Sequence, residues 1–125
     1  MGLTRFCVRG IRGATTVKEN KAGDILKATA KLLQAIVEEN NLKAEDIASV
    51  IFTVTPDLNA EFPATAAREF LGWKYVPLIC GQEINVPDRA KKCIRVLIHV
   101  NTDRAQDELK HIYQNEAVQL REDLI

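Results

Sequence analysis

The run Cys93-Ile-Arg-Val-Leu-Ile-His-Val-Asn-Thr102 decides the fold class. Ile94, Val96, Ile98 and Val100 alternate with Arg95, Leu97, His99 and Asn101. A period of two is that of a strand with one buried face. Arg95 stands where such a strand would carry Val or Thr. A guanidinium there needs a counter-charge, because an unpaired buried charge is costly. The partner is either an acid of the chain, with Glu83 the candidate, or an anion from outside. Arg12, in Arg9-Gly-Ile-Arg-Gly-Ala-Thr-Thr-Val17, is similarly placed. Two arginines on separate strands, each able to grip a carboxylate through two parallel hydrogen bonds, point to a small dianionic ligand.

Outward from these strands, Phe6 to Gly13 reads as the first strand, with Gly10 and Gly13 leaving room for close approach of backbone or ligand. Thr15 to Asn20 reads as a polar turn, with Asn20 as N-cap. Ile25, Leu26, Thr29, Leu32, Leu33, Ile36 and Val37 follow helical spacing and predict a long amphipathic helix ending at Asn40-Asn41. Lys43 to Asp46 predicts a short helical turn, and Ala48 to Thr55 a strand. Pro56 to Asn59 breaks that strand. Pro63 then opens a second helix that Gly72 closes. Tyr75 to Cys80 predicts a third strand, with Pro77 marking an edge or a start. A loop follows from Gly81 to Asp88, and a helical turn is predicted over Gln106 to Tyr113. Met1 to Phe6 is expected to fray or to lengthen the first strand. Few helices among several strands predict a single α+β domain over residues 1–125, two layers, with the helices on one face of a mixed sheet. The other face would be bare, which favours oligomerisation.

Composition excludes several functions. Lysine plus arginine equals aspartate plus glutamate at 17 each, so no overall field draws nucleic acid. No segment has the roughly 20 apolar residues of a membrane span. The N-terminus has no apolar signal core, which predicts a cytoplasmic protein. Cys7, Cys80 and Cys93 lack the spacing of a disulfide framework or a zinc site. His99 and His111 lack metal-ligand spacing relative to each other and read as surface or core residues.

The motifs resemble a known family. Arg9 to Val17, Thr55-Pro-Asp-Leu58, Phe62-Pro-Ala64 with Arg68, Pro77 to Cys80 with Gln82-Glu83, Lys92 to Val96, and His111-Ile-Tyr113 with Leu120-Arg121 are similar, in order and spacing, to the monofunctional chorismate mutases of the trimeric α/β type. The resemblance runs from about residue 8 to the C-terminus. It implies a trimeric chorismate mutase-like, ferredoxin-like-related fold and a homotrimer with active sites at subunit interfaces. It also implies conversion of chorismate to prephenate in phenylalanine and tyrosine biosynthesis.

Chorismate carries two carboxylates, a ring hydroxyl and an enolpyruvyl ether. Its concerted [3,3] rearrangement needs no nucleophile, proton transfer, metal or cofactor. An enzyme can supply a compact conformer and a cation at the ether oxygen. By resemblance, Arg95 reaches that oxygen and the enolpyruvyl carboxylate, Arg12 holds a carboxylate, and Tyr113 donates its hydroxyl. Glu83 accepts the ring hydroxyl, helped by the segment at Ile79 and Cys80. Phe62, Ala64, Leu78 and Leu120 form apolar walls, with Arg68 and Arg121 at the mouth. The tail from Val118 is expected to close over substrate. Thr65 stands where members often carry lysine, and Ile79 where a threonine can occur. Both departures are expected to tune affinity more than the chemical step. Two rivals are weaker. An imine/enamine deaminase shares the architecture, but its motifs are absent. A dicarboxylate sensor has no use for a cation on an ether oxygen.

Overall fold

The computed structural model describes residues 6–124, of which residues 121–124 are described in backbone only. Five strands form one sheet: β1 (Cys7–Thr16), β2 (Ile47–Val54), β3 (Leu78–Gln82), β4 (Cys93–Thr102) and β5 (Ile112–Tyr113), in the order β3-β2-β4-β1-β5. Pairs β1–β4 and β2–β4 are antiparallel, while β2–β3 and β1–β5 are parallel. The sheet is therefore mixed. The helices α1 (Ala22–Asn40) and α2 (Ala64–Phe70) cover one face, giving the α+β, two-layer arrangement expected from few helices among several strands.

That alternation places the core. Ile94, Val96, Ile98 and Val100 point to the helices, together with Ile11, Val50 and Phe52 from the flanking strands. Leu32, Leu33 and Ile36 of α1 pack onto them. At the crossing point α1 comes so near β1 that a β-carbon on Gly13 would stand 2.7 Å from Ile36 Cδ1. Close approach is thus required at Gly13. At Gly10 a β-carbon would make only ordinary contact, 3.5 Å from Leu97 Cδ1. Helix α1 ends at Asn41, whose left-handed φ of 49° is tolerated by asparagine.

Several sequence expectations are corrected. Thr15 and Thr16 belong to β1, not to a turn; they pair with Ile94 and Cys93 and are buried. Their hydroxyls are satisfied by the C-terminal segment: Asn115 Nδ2 donates to Thr15 Oγ1 (3.1 Å) and the Glu116 amide to Thr16 Oγ1 (3.1 Å). Asn20 is not the N-cap of α1. Lys21 holds that position, and the Asn20 side chain instead accepts from the amides of Asn59 and Ala60. The third strand begins at Leu78 rather than Tyr75, and it continues through Gly81 and Gln82. The predicted turn over Gln106 to Tyr113 is helical only at Gln106–Glu108, and Ile112 and Tyr113 form β5 along the outer edge of β1.

The second face of the sheet is bare only in part. A 3-10 helical segment, Asn115–Leu124, seals one end, where Ala117 packs on Ala14 and Cys93 beside Tyr113 and Leu120. The rest exposes Val8, Ile51 and Ile79. Of the expected N-terminal extension, Met1 to Arg5 lie outside the described residues.

Candidate active site

The partly open face carries the charges singled out in the sequence. Arg95 of β4 lies between Ala14 of β1 and Thr53 of β2, and Arg12 is paired with the adjacent Leu97. With Tyr113 of β5 and Leu120 of the C-terminal segment, Arg12 and Arg95 line one groove of ≈ 270 Å³ floored by Ala14, Ile51, Thr53 and Leu97. Glu83, just past β3, stands at its border. The Glu83 amide continues the ladder to the Val54 carbonyl (2.8 Å), and Thr53 Oγ1 donates to its carboxylate. Arg95 Nε lies 3.7 Å from Glu83 Oε2, longer than a hydrogen bond, with 48% of the Arg95 side chain exposed. The ion-pair alternative for Arg95 therefore holds only loosely. A second hollow of ≈ 660 Å³ adjoins Arg95 and Glu83 on the side of the 84–91 loop.

The remaining candidates gather elsewhere. Side chains of β3 alternate: Leu78 and Cys80 turn toward the helices, opposite Val50 and Phe52, whereas Ile79 turns to the open face opposite Ile51. Leu78 packs on the main core and lines neither groove. Phe62, an exposed side chain, and Cys80 line a separate hollow of ≈ 610 Å³ at the β3 edge. The thiol of Cys80 meets the Ala64 amide and the field of Arg68, although burial dominates and pushes its pKa up. Burial also raises the Cys93 thiol, against the lowering influence of Arg95. Both thiols stay protonated near neutrality, which leaves neither a thiolate for nucleophilic work. Thr65 Oγ1 donates to Glu61 Oε1 (3.3 Å) at the start of α2. The side chain of Arg121 lies outside the described residues. So the chain unites Arg12, Arg95, Tyr113, Leu120 and Glu83, and it sets Phe62, Ala64, Arg68 and Cys80 apart from them.

Three residues that position this site were assigned no role from the sequence. Thr53 orients Glu83, and only the β2–β4 register reveals its place beside Arg95. Thr55 and Asp57 join the end of β2 to the start of β4. Thr55 Oγ1 accepts from the Cys93 amide (2.9 Å), and both Asp57 carboxylate oxygens accept from the Lys92 amide (3.1 and 2.9 Å). Lys92 has a left-handed φ of 49°, so this clamp holds a strained turn three residues before Arg95. The motif Thr55-Pro-Asp-Leu58 gave the signal, but its partner is distant in sequence. Among the described residues, no cluster of three or more histidine, cysteine or acidic side chains could hold a metal, and no helix is long and apolar enough to cross a membrane.

Two guanidinium groups and a phenol along one groove, with a tethered carboxylate at its border, make a candidate anion-binding site on an α+β sheet. Comparison makes this class specific. The sequence model for chorismate mutase type I matches residues 8–124. The chain is 50% identical over 117 residues to the chorismate mutase AroH of Bacillus subtilis (strain 168), covering 94% of this chain and 92% of the relative. It is 49% identical over 118 residues to the chorismate mutase AroH of Thermus thermophilus, covering 94% and 96%. A solved structure of a chorismate mutase from Clostridium thermocellum superposes with TM-score 0.86 and 52% identity, over 88% of this chain and 97% of that one. The chain belongs to the chorismate mutase type I family.

Proposed function

We propose that the groove bordered by Arg12, Glu83, Arg95 and Tyr113 converts chorismate to prephenate by a concerted [3,3] rearrangement. In the transition state the breaking ether bond leaves negative charge on oxygen. Arg95 sits on the central strand of the sheet, where its backbone is fixed on both sides, and it supplies a permanent cation for that charge. Arg12 and Tyr113 hold the carboxylates and so keep the substrate folded in its reactive conformer. Glu83, tethered by Thr53, accepts the ring hydroxyl. The convergence of the two arginines and Tyr113 on one groove is the observation that carries this reading.

The assembly is a homotrimer with its sites between subunits. In support, Phe62, Ala64, Arg68 and Cys80 lie apart from the arginine groove within one chain, and the strip of Val8, Ile51 and Ile79 on the sheet is uncovered. Packing the β3 edge of one subunit over the open groove of the next covers the strip and brings the two groups together. Arg68 then neutralises the dianion at the mouth, while Phe62 excludes water. The rearrangement itself calls for no cofactor.

The test is direct. Purified protein is mixed with chorismate, the loss of chorismate absorbance is followed, and the product is identified. Rapid, stoichiometric formation of prephenate is expected. A folded protein that leaves chorismate unchanged overturns the reading.

A further inference from the structure

The outer edge of β1 is finished by side chains. Beyond the two residues paired with β5, the Gly10 amide donates to Gln106 Oε1 (3.0 Å), and its carbonyl accepts from Gln106 Nε2 (2.6 Å). Between them the Arg12 amide donates to Nδ1 of His111 (2.9 Å). An imidazole can accept there only with Nδ1 unprotonated. His111 is itself anchored. The preceding residue, Lys110, is gripped on both backbone groups by the buried Asn40 at the end of α1: its amide donates to Oδ1 (2.7 Å) and its carbonyl accepts from Nδ2 (2.9 Å). A rigid path thus runs from the end of α1, through the Lys110 backbone and the imidazole, to the backbone of Arg12.

We propose that His111, in its neutral form, is a positioning residue that fixes the Arg12 segment of β1 and thereby the carboxylate-binding guanidinium. Protonation at Nδ1 would set a donor against the Arg12 N–H and bring a second positive charge beside Arg12. The surroundings favour the neutral ring: burial first, then the charge of Arg12, lower the His111 pKa from 6.5. From β1 the charged group facing the ring is Arg12. From α1, Glu39 reaches the Lys110 ammonium (3.6 Å), and the adjacent Asn40 is uncharged. Because the folded pKa lies below the unfolded one, the contact is intact above 6.5 and is lost as the pH falls through the depressed value.

The inference rests on the reading of Arg12 as a substrate clamp, so the test joins an activity readout to one that needs no activity. Wild type, His111→Phe and His111→Asn are compared in their assembled state. Asparagine can offer an oxygen where Nδ1 stood, and it does not titrate. Hydrogen–deuterium exchange at the Arg12 amide should be slow in wild type, faster in His111→Phe and restored in His111→Asn. The KM for chorismate should rise about fivefold in His111→Phe, the effect of one net hydrogen bond, with kcat changing much less. In wild type KM should rise as the pH falls through the depressed His111 pKa, and His111→Asn should lose that dependence. Equal exchange at Arg12 in all three proteins, or an unchanged KM and pH profile in His111→Phe, would overturn the proposal. If wild type keeps a protected Arg12 amide but turns over no chorismate, the proposed function fails, and with it the link from His111 to KM.

Discussion

Arg95 and Thr53 face each other across β4 and β2, and Glu83 reaches both. The guanidinium is thus held near an acid but not consumed by it. Thr53→Ala should free the Glu83 carboxylate to close on Arg95, converting the loose contact into a direct pair. The expected result is a fall in kcat of about tenfold, ~1.4 kcal/mol of barrier, checked by steady-state turnover with the fold verified by circular dichroism. The site also predicts a pH profile. The rearrangement uses no general acid or base, so kcat should be flat from about pH 7 to about 9. A bell centred near neutrality would reveal a titrating catalytic group, contrary to the mechanism. At this scale the sequence was legible where a residue broke its local pattern. Arg95 in an alternating strand is such a break. Thr53 is not, because threonine suits any strand, and its role exists only through the register with β4. His111 was likewise read as an ordinary surface or core histidine, since its partner is a backbone amide 99 positions away.

Elements position these residues through a few close contacts. Gly13 admits α1 against β1, and a methyl there meets Ile36, Val96 and the Ile112 carbonyl at 2.7, 3.1 and 3.2 Å. Gly13→Ala should therefore destabilise the fold by about 1–3 kcal/mol, the usual cost of overpacking, measured by urea unfolding. Asn40 is 1% exposed and joins α1 to the segment ahead of β5. Asn40→Ala leaves the Lys110 amide and carbonyl unpaired in a partly buried place, which should cost about 2–3 kcal/mol. The long helix and the two central strands could be read from periodicity because their burial repeats along many residues. β5 could not. It has two residues, and it exists because the outer edge of β1 needs partners. The end of β1 was misread for the same reason: Thr15 and Thr16 look like turn residues until the C-terminal segment supplies donors to their hydroxyls.

For the whole molecule, the separation of site residues within one chain carries the prediction. The sequence left open whether Arg12 and Arg95 meet across a subunit interface, but both line one groove of a single chain. Mixed assemblies of Arg12→Ala and Arg95→Ala chains should therefore stay inactive, because each arginine groove lacks one guanidinium. In the proposed trimer, mixtures of Arg68→Ala with Arg95→Ala should regain activity, since a boundary between subunits would combine an intact groove with an intact Arg68. Equal recovery in both mixtures would contradict that division of the site. The sheet's exposed apolar strip was predictable from the shortage of helices, whereas the partial cover by the C-terminal segment depended on contacts between the two ends of the chain. In the proposed mechanism Arg95 supplies the cation that stabilises the breaking ether bond. Turnover of chorismate by wild type, Arg95→Lys and Arg95→Ala, each as a folded assembly, tests it most directly. Alanine should lose about three orders of magnitude, as for removal of a main transition-state donor, with only partial recovery by lysine, whose single ammonium lacks the guanidinium fork. An alanine variant within a few-fold of wild type would contradict it.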